Sequence, residues 1–479
     1  MQMVIDGNEV TAFGGQQFEV RNPAGGDVID VVPRATPEDV DRALNGAMAA
    51  QRAWAARPSH ERSAVLAEVA RQIEAHADKL AELLCRENGK PLPQALREVN
   101  TTARIFAGYG HQLLATHGEA IELDRQPGLE QDLLVTRREP YGVVVAITPF
   151  NFPISVLAHK AAPALAAGNA VVAKPSEYTP LSTVRIGELM LEAGVPGGCF
   201  QVVTGFGGEI GDALVTDPKV AVVTLTGSIA TGRRVTAAAA PNLTRVYLEL
   251  GGNDPVLVFA DSDLDLAATE IVNGRLPTNG QVCCANKRVL VEESVRGPLV
   301  ERLRDLLATK ALGDPFHDGT DLGPLIHEEA AALVHEQVEK TLEQGGTLVV
   351  GGEPPQGSYY WPTLIDDVPP TADVARDMEI FGPVLPVIGF ADTDEAIQIA
   401  NSSRCGLNAA VLTRDMQRAL SLGARIQSGM VTLNGSCLYR PDACAFGGYK
   451  MSGIGREGVL YGLEEYSQVK TFAFRNVLA

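Results

Sequence analysis

The sequence predicts an α/β protein built around a doubly wound parallel sheet and followed by a second α/β region. Between residues 142 and 250, short apolar runs alternate with stretches of helical periodicity. Runs that are apolar throughout are typical of strands buried on both faces by helices. The predicted strands are Gly142–Ile147, Ala170–Ala173, Phe200–Val203, Val220–Leu225 and Arg245–Leu250. A second set of strands and helices begins with Pro255–Ala260.

The segments between these strands carry helical periodicity, and so does the first quarter of the chain. Helices are expected from about residues 155, 180 and 228, with a shorter one after the strand that ends at 203. Thr36 before Pro37 is typical of a helix start, because a capping hydroxyl precedes a proline at the first helical position. One long helix is predicted from after Ser59 to near Asn88, and helical periodicity continues over about 92–116.

Two β-rich segments belong to neither compact unit. Gln131–Arg138 and Tyr466–Arg475 lie far apart in the sequence, and each is predicted to be an extended strand. A lone two-stranded ribbon is marginally stable in water, and its open edges invite pairing. The two segments therefore predict an arm that takes part in assembly.

Composition and charge narrow the class of protein. The chain has 479 residues, 45% of them hydrophobic, which is enough for roughly two to four domains. The 40 Lys and Arg residues against 59 Asp and Glu residues give a net charge of −19. A chain this acidic lacks the basic surface that binds phosphate backbones, so a nucleic-acid partner is not expected.

The sequence also gives expectations about compartment. Met1–Asp6 shows no basic stretch followed by an apolar one, so no signal peptide is expected. The most apolar long window, Tyr141–Ala158, is interrupted by Pro149 and Pro153, so no membrane span is expected. The seven cysteines include no CxxC pair and no zinc-ligand spacing. This favours reduced thiols in a cytoplasmic protein and no metal site.

Three of the predicted strands end in polar side chains next to Pro or Gly. The strand at 142–147 leads to Asn151, the strand at 170–173 leads to Lys174 and Glu177, and the strand at 245–250 contains Glu249. Because ligands bind at the carboxyl ends of strands in doubly wound sheets, the three endings predict one site. Taken alone, Asn151 also reads as a turn residue, and Glu249 as the partner of a salt bridge.

A pair of cysteines follows a Gly-Gln turn in the stretch Gly280–Cys284. An ordinary cysteine is most often a small buried hydrophobe. Here the turn suits a nucleophile presented on a loop before a helix, and Cys283 is the candidate. A free thiol with a pKa of ~8.5 is only about 3% thiolate at pH 7. We therefore expect a helix N-terminus or a neighbouring cation to stabilise the thiolate.

Two glycine-rich turns are candidates for binding a pyrophosphate. Leu225–Gly232 joins a strand to a helix, where Gly and Ser expose backbone N–H groups to an anion. Gly205–Gly211 also resembles a dinucleotide loop, although its spacing is GxGxxxG rather than GxGxxG. Neither turn is specific on its own.

Taken together, these residues resemble the aldehyde dehydrogenase superfamily over essentially the whole chain. Seven stretches match in family order. They are Thr148–Pro153 (TPFNFP), Lys174–Glu177 (KPSE), Leu225–Ser228 (LTGS), Leu248–Gly252 (LELGG), Gly280–Cys284 (GQVCC), Glu379–Pro383 (EIFGP) and Phe446–Gly458 (FGGYKMSGIGREG).

The resemblance implies a domain organisation. Residues 1–119 and 140–251 would form a doubly wound NAD(P)-binding domain, and residues 252–450 an α/β catalytic domain. Residues 120–139 and 463–479 would form a β-arm for oligomerisation, which implies a homodimer or homotetramer.

The resemblance also implies roles for individual residues. Cys283 would be the nucleophile, and Glu249 the base that activates the hydrolytic water. Asn151 would donate to the oxyanion beside the backbone N–H of Cys283, and Lys160 would belong to a proton path. The implied cofactor contacts are Thr148, Pro149, Phe150, Lys174, Ser176, Glu177, Gly207, Gly211, Thr226, Gly227, Ser228, Gly232, Leu250, Gly251, Glu379 and Phe381. The implied substrate contacts are Phe152, Val156, His159, Arg440 and Phe446.

The implied reaction is NAD(P)-dependent oxidation of an aldehyde to the carboxylate through a thiohemiacetal and a thioester. Glu177 suits free ribose hydroxyls and repels a 2′-phosphate, so NAD is favoured and NADP stays possible. His159 makes the substrate tunnel polar, and Pro441 restricts Arg440 to extended conformations that aim it inward. We therefore expect a small polar or anionic aldehyde, such as a semialdehyde or a hydroxyaldehyde.

Several alternatives stay open at this point. An aromatic aldehyde would be held by Phe152, Tyr439 and Phe446, with Arg440 paired to Asp442 on the surface. Members that pass the thioester to CoA generally lack the equivalent of Glu249, so its presence favours hydrolysis. A thiol esterase leaves the cofactor motifs unexplained. A non-catalytic binding protein on this fold would have lost the nucleophile, whereas Cys283 is intact.

Overall fold

The computed structural model describes residues 1–478. The chain begins with four short strands that the helical reading of the first quarter misses. They are β1 (Met3–Ile5), β2 (Asn8–Val10), β3 (Gln17–Arg21) and β4 (Val28–Pro33). β1 and β2 form a hairpin through Asp6 and Gly7, which have φ values of 51° and 76°. Asp-Gly is a strong hairpin signal, but strands of three residues are too short to show a period of two.

Four helices follow the N-terminal strands. They are α1 (Pro37–Ala55), α2 (Ser59–Ala75), α3 (Ala77–Asn88) and α4 (Leu92–Ala115). The predicted start of α1 is confirmed, and the Asp39 carboxylate accepts a 2.9 Å hydrogen bond from the backbone N–H of Thr36. The prediction of one long helix from Ser59 is wrong. The chain breaks at His76, whose φ of −112° lies outside the helical range.

The next part of the chain contributes two strands that lie outside the first sheet, followed by five strands of that sheet and the helices between them. Its elements are β5 (Ala120–Glu122), β6 (Leu133–Pro140), β7 (Val143–Ile147), α5 (Pro153–Ala167), β8 (Ala170–Lys174), α6 (Leu181–Glu192), β9 (Phe200–Val202), α7 (Gly207–Thr216), β10 (Val220–Gly227), α8 (Ile229–Ala239) and β11 (Arg245–Leu250). The sheet order is β2-β1-β9-β8-β7-β10-β11-β21, and β7 to β11 are mutually parallel. The order in which successive strands join the sheet reverses between β7 and β10, which is the switch point where doubly wound sheets bind ligands.

The second α/β region forms a seven-stranded sheet. Its elements are β12 (Pro255–Val258), α9 (Leu264–Arg275), β13 (Arg288–Glu292), α10 (Arg296–Leu307), α11 (Glu328–Glu343), β14 (Thr347–Val350), β15 (Thr363–Asp366), α12 (Asp373–Arg376), β16 (Val384–Phe390), α13 (Thr393–Asn401), β17 (Cys405–Gly406), β18 (Asn408–Leu412), α14 (Met416–Arg425), β19 (Met430–Leu433) and β20 (Tyr449–Lys450). The sheet order is β14-β15-β16-β13-β12-β18-β19, with β14 antiparallel to β15. The predicted α/β class is therefore confirmed.

The C-terminal part returns to the first sheet and then forms the arm. Its elements are β21 (Gly453–Ile454), α15 (Gly462–Glu465) and β22 (Ser467–Phe474). β21 pairs antiparallel with β11. β22 pairs antiparallel with β6 along its whole length, and β5 pairs with the other edge of β6. The two predicted arm strands are therefore partners of one another, and we call β5, β6 and β22 the arm. Within residues 1–478, no helix is both long and apolar enough to cross a membrane.

Candidate active site

A cavity with a volume of about 600 Å³ lies at the carboxyl ends of the strands of the first sheet. Most of the residues predicted to contact a cofactor line it. They are Thr148, Pro149, Phe150, Lys174, Ser176, Glu177, Gly207, Gly211, Thr226, Gly227, Ser228, Leu250, Gly251, Glu379 and Phe381. Gly232 is the exception, because it packs against β11, where a Cβ would come within 2.7 Å of Leu250 Cδ1. Its role here is close helix–strand packing.

The cavity has the shape and the polar groups that a dinucleotide requires. A Cβ added at Gly208 or Gly211 would meet open space, so this end of α7 leaves room for a ligand. Ser228 caps α8 and accepts a 3.2 Å hydrogen bond from the N–H of Thr231, which directs a helix N-terminus at the cavity. Among the described residues, the buried hydroxyls of Thr148 and Thr226 have no hydrogen-bond partner.

Lys174 and Glu177 form an ion pair at the cavity wall, with 3.3 Å between Nζ and Oε2. Lys174 is buried, and this burial lowers the pKa of its ammonium, while Glu177 acts in the opposite direction. Tyr178, Asp212 and Arg234 also line the cavity, and the sequence reasoning did not single them out. They lie beside the predicted motifs, which is the one signal that would have found them.

Cys283 lies on an irregular segment between a tight turn and β13, and it faces the cavity. The expectation of a helix after the cysteine pair is wrong. Thr278, Asn279 and Gly280 all have positive φ, and a Cβ at Gly280 would lie 2.2 Å from the Gly382 carbonyl oxygen. The turn thus depends on glycine and on a distant segment. The expected cation is present as Lys287, whose Nζ donates to the Cys283 carbonyl at 2.6 Å.

Asn151 is held against the segment that carries Cys283. Its side-chain Nδ2 donates to the carbonyl of Gln281 at 2.7 Å, and its Oδ1 accepts from the backbone N–H of Phe152 at 3.1 Å. The backbone carbonyl of Asn151 accepts a 2.6 Å hydrogen bond from the buried Lys90. Two hydrogen bonds therefore fix the side-chain amide and a third fixes the backbone of Asn151, and both Asn151 and Cys283 line the cavity.

Glu249 lies near the end of β11, buried, and lines the cavity together with Cys283. Burial raises the pKa of Glu249 to about 7, and the nearby Glu457 adds to this effect. The Cys283 thiol has a raised pKa, because it hydrogen-bonds Cys284, is buried and faces Glu249. A carboxylate that titrates near neutral pH beside a protonated thiol is an arrangement for proton transfer.

Behind Glu249 lies a second cavity of about 10 Å³, which is about the size of one water molecule. Lys160 lines it and donates to Glu457 at 2.8 Å and to Thr224 Oγ1 at 3.2 Å. Burial alone would raise the pKa of Glu457, but Lys160 and Arg440 outweigh it and lower the pKa to about 2. Sequence reasoning missed Glu457, although it lies inside the stretch Phe446–Gly458.

Arg440 points inward, and the alternative of a surface pair with Asp442 is wrong. Its guanidinium lies 3.7 Å from the centroid of the Phe446 ring and donates to Glu457 Oε2 at 2.7 Å. Asp442 pairs instead with Arg104, at 3.2 Å. Burial would lower the pKa of Arg440, but Glu457 and Glu249 raise it, so the side chain stays charged.

The other residues predicted to contact substrate surround Arg440 and Cys283. Phe152 and Phe446 pack in one apolar cluster with Cys283 and Cys284. Val156 and His159 are buried on α5. Burial, with the charge of Arg440, lowers the pKa of His159 to about 3, so its ring is neutral. Within the described part of the chain, His159 Nδ1 has no hydrogen-bond partner.

Comparison with known proteins identifies this type of site. Residues 10–472 match the model of the aldehyde dehydrogenase family. The chain therefore belongs to the aldehyde dehydrogenase family. It is an enzyme of the type that oxidises aldehydes with NAD or NADP.

Individual relatives cover nearly the whole chain. The mitochondrial succinate-semialdehyde dehydrogenase of Arabidopsis thaliana is 39% identical over 472 residues, which cover 98% of this chain and 88% of that protein. The NADP(+) succinate-semialdehyde dehydrogenase GabD of Escherichia coli is 37% identical over 472 residues, covering 98% and 96%. The crystal structure of an NAD-dependent aldehyde dehydrogenase from Sinorhizobium meliloti is 38% identical, with a TM-score of 0.96 and coverage of 99% and 94%.

Proposed function

We propose that this enzyme oxidises a small anionic aldehyde, of the semialdehyde class, to the corresponding dicarboxylate, with NAD preferred over NADP. The observation that carries the proposal is the Arg440 guanidinium, which lies partly buried on the aromatic ring of Phe446, with its charge acting on Cys283. A guanidinium largely removed from water is the group that best recognises a carboxylate. The names of the Arabidopsis and E. coli relatives support the same substrate class.

The proposed function assigns a role to each domain of the chain. Residues 1–119 and 140–251 form the NAD(P)-binding domain, residues 252–450 the catalytic domain, and residues 120–139 and 463–479 the oligomerisation arm, of which residue 479 lies outside the described residues. This division is supported by the two sheets and by the pairing of β6 with β22.

Cys283 is the nucleophile, and Glu249 receives its proton. The pKa of about 7 lets Glu249 act as a base near neutral pH, and Arg440 and Lys287 favour the thiolate that remains. The thiolate attacks the carbonyl carbon of the aldehyde, and the carbonyl oxygen becomes an oxyanion. Asn151 has one N–H engaged by Gln281, and its second N–H donates to this oxyanion together with the backbone N–H of Cys283.

The bound NAD(P)+ supplies the hydride acceptor for this reaction. Loss of the hydride from the thiohemiacetal carbon leaves a thioester on Cys283. Glu249 first gives up the proton that it took from Cys283. It then takes a proton from a water molecule, which attacks the thioester, so that the carboxylic acid leaves and the Cys283 thiolate is protonated again from Glu249. Lys160 and Glu457 line the water-sized cavity behind Glu249, and this cavity is the route by which the proton leaves.

Glu177 is the reason for preferring NAD. Its carboxylate lines the cavity beside Lys174, where the adenosine ribose would lie. A carboxylate accepts hydrogen bonds from two free ribose hydroxyls and repels a 2′-phosphate. The Glu379 carboxylate accepts hydrogen bonds from the nicotinamide ribose in the same way, and Phe381 lines the cavity beside it.

A matrix of substrates and cofactors tests the proposal. Absorbance at 340 nm is followed with succinic semialdehyde, butanal and benzaldehyde, each with NAD and with NADP, and with or without CoA. We expect the highest kcat/KM for succinic semialdehyde with NAD, no requirement for CoA, and no turnover by Cys283→Ala. A preference for benzaldehyde would assign the aromatic class instead. Ester hydrolysis without any aldehyde oxidation would assign a thiol esterase.

A further inference from the structure

We propose that Lys287 is a positioning residue that joins the backbone of Cys283 to the carboxylate of Glu379, so that cofactor binding at Glu379 sets the reactivity of the Cys283 thiol. The inference rests on the proposed function, because it takes Cys283 as the nucleophile and Glu379 as the contact of the nicotinamide ribose.

The ammonium group of Lys287 contacts three acceptors, one for each of its hydrogens. An ammonium group has three hydrogens to donate and accepts none. Lys287 Nζ donates to the carbonyl of Gly252 at 2.8 Å and to the carbonyl of Cys283 at 2.6 Å, and it forms an ion pair with Glu379. Its side chain is 1% exposed. A lysine buried this deeply is tolerated only when every hydrogen finds an acceptor.

Each of the three partners belongs to a different part of the site. Gly252 follows the strand that carries Glu249, and Cys283 carries the thiol. Glu379 is the partner that faces the cavity, since its side chain is 25% exposed and lines the cavity wall. A Cβ at Gly251 would lie 2.2 Å from Glu379 Oε2, so the carboxylate lies directly over the end of β11. Glu379 is therefore the charged partner through which a ligand in the cavity acts on Lys287.

Other charged groups also face this pair, and their positions decide the direction of the effect. The groups facing Cys283 are Glu249, Arg440, Lys287 and the thiol of Cys284, and those facing Lys287 are Glu379 and Asp254. Lys287 lowers the pKa of the Cys283 thiol, whereas Glu249 and Cys284 raise it. Glu379 partly neutralises Lys287, because the two form an ion pair.

A ribose hydroxyl that donates a hydrogen bond to Glu379 shares this carboxylate with Lys287, so the carboxylate neutralises the charge of Lys287 less. The positive charge of Lys287 then acts more strongly on Cys283, and the hydrogen bond to the Cys283 carbonyl keeps the thiol in place while this happens. The expected result is a thiol that becomes more reactive once the cofactor is bound, before any aldehyde arrives.

Alkylation of Cys283 measures this coupling without turnover. The full-length enzyme is treated with iodoacetamide between pH 5 and 10, with and without saturating NAD+, and the modified Cys283 peptide is quantified by mass spectrometry. The midpoint of the pH profile is the readout, because a bound cofactor that merely obstructs access changes the rate but not the midpoint. In the wild type we expect NAD+ to lower the midpoint by about one pH unit, a roughly tenfold gain in thiolate at lower pH.

Two variants and one control decide the outcome. Lys287→Met should remove the NAD+-dependent shift. Glu379→Gln should give a low midpoint already without NAD+, and no further shift, which keeps the inference testable if Lys287→Met fails to fold. Lys340→Met, which removes a surface lysine paired with Asp373, should behave as the wild type. A full NAD+-dependent shift in either of the first two variants, or its loss in the third, overturns the inference. If Cys283→Ala retains turnover, the proposed function fails instead, whatever the midpoints show.

Discussion

Arg440 and Glu457 form a partly buried ion pair, with 2.7 Å between Nη2 and Oε2, and the other oxygen of Glu457 accepts from Lys160 at 2.8 Å. One carboxylate therefore joins the cation on the substrate side of Cys283 to the ammonium group behind Glu249. Because each partner is charged and enclosed, removing one leaves the others unpaired in a low-dielectric site. Changes at Arg440 should consequently affect substrate affinity and, less strongly, the general base.

Replacing Arg440 by alanine should separate anionic from neutral aldehydes. The variant should raise KM for succinic semialdehyde at least about tenfold, a loss of ~1.4 kcal/mol, because the substrate carboxylate loses its guanidinium partner. KM for benzaldehyde should stay nearly unchanged. Steady-state kinetics with both aldehydes provide the measurement. Arg104→Ala, which removes the surface partner of Asp442, is the matched control and should leave both KM values alone. Equal losses for both aldehydes with Arg440→Ala would remove the carboxylate contact.

Glu249→Gln should divide the reaction into its two halves. The glutamine amide cannot accept a proton from Cys283 or from the hydrolytic water, so the burst should be slower than in the wild type. The enzyme should release at most one equivalent of NADH and then stop as the thioester. Rapid mixing followed at 340 nm measures the burst, and mass spectrometry of the quenched enzyme detects acylated Cys283. Thr226 lies beside Glu249 in the adjacent strand. Steady turnover of Glu249→Gln at the wild-type rate would show that another group is the base.

The pH dependence of the wild type should follow the ionisation of Glu249. Its pKa is raised to about 7, chiefly by burial, and the base form is the carboxylate. Activity should therefore fall as pH drops through 7, losing about tenfold per pH unit well below it, and should level off above about 8. The pH profile of kcat/KM measures this. A profile that stays flat from pH 5.5 to 8.5 would contradict the role of Glu249.

Replacing Glu177 by alanine should narrow the preference for NAD over NADP. The carboxylate that repels a 2′-phosphate is then absent, and Lys174 loses the partner that lies 3.3 Å away, so its ammonium is available to a phosphate. The ratio of kcat/KM for the two cofactors gives the result. Glu188→Ala, on α6 and paired with Arg185, should keep the wild-type ratio. A wild type that prefers NADP would show that Glu177 turns away from the ribose.

The arm should hold subunits together. Several of its apolar side chains are exposed, including Val469 and Phe472, and the outer edge of a three-stranded ribbon offers unpaired backbone groups. Light scattering at micromolar concentration should give two or four times the 50.8 kDa chain mass. The double variant Val469→Asp and Phe472→Asp should lower that mass, and Leu243→Asp, at an exposed site on the first sheet's periphery, should not. A wild-type monomer would refute the assembly.

The sequence predicted those parts of the molecule whose structure is locally encoded. The strands of the first sheet were found because runs such as 143–147 are apolar throughout, and the start of α1 because Thr36 and Pro37 mark it. Strands β1 to β4 were missed because they are too short for a period to show. The segment around Cys283 was mistaken for a helix start, since its turn is set by contact with Gly382, which lies about a hundred residues away.

Long-range polar contacts also limited what the sequence could predict about the active site. The motifs located Cys283, Glu249 and Asn151, each at the end of a strand or turn. The pairing of Arg440 with Glu457 was not foreseen, because Arg440 lies before β20 and Glu457 after β21, where its backbone pairs with that of Phe446. Lys287 was not singled out for the same reason, since its partner Glu379 is 92 residues away.

The chain passes between the two sheets at only two places within residues 1–478: from β11 to β12 over 251–254, and back from β19 to β21 over 434–452. The returning chain joins the first sheet where Gly453 pairs with Glu249. This position requires glycine, because its φ is +148° and a Cβ would lie 2.0 Å from the Leu248 carbonyl oxygen. Both crossings reach the first sheet beside Glu249, since 251–254 leaves from the end of β11 and Gly453 pairs with Glu249 itself. A change in the angle between the two sheets would therefore displace this carboxylate less than it displaces residues at the far end of the cleft.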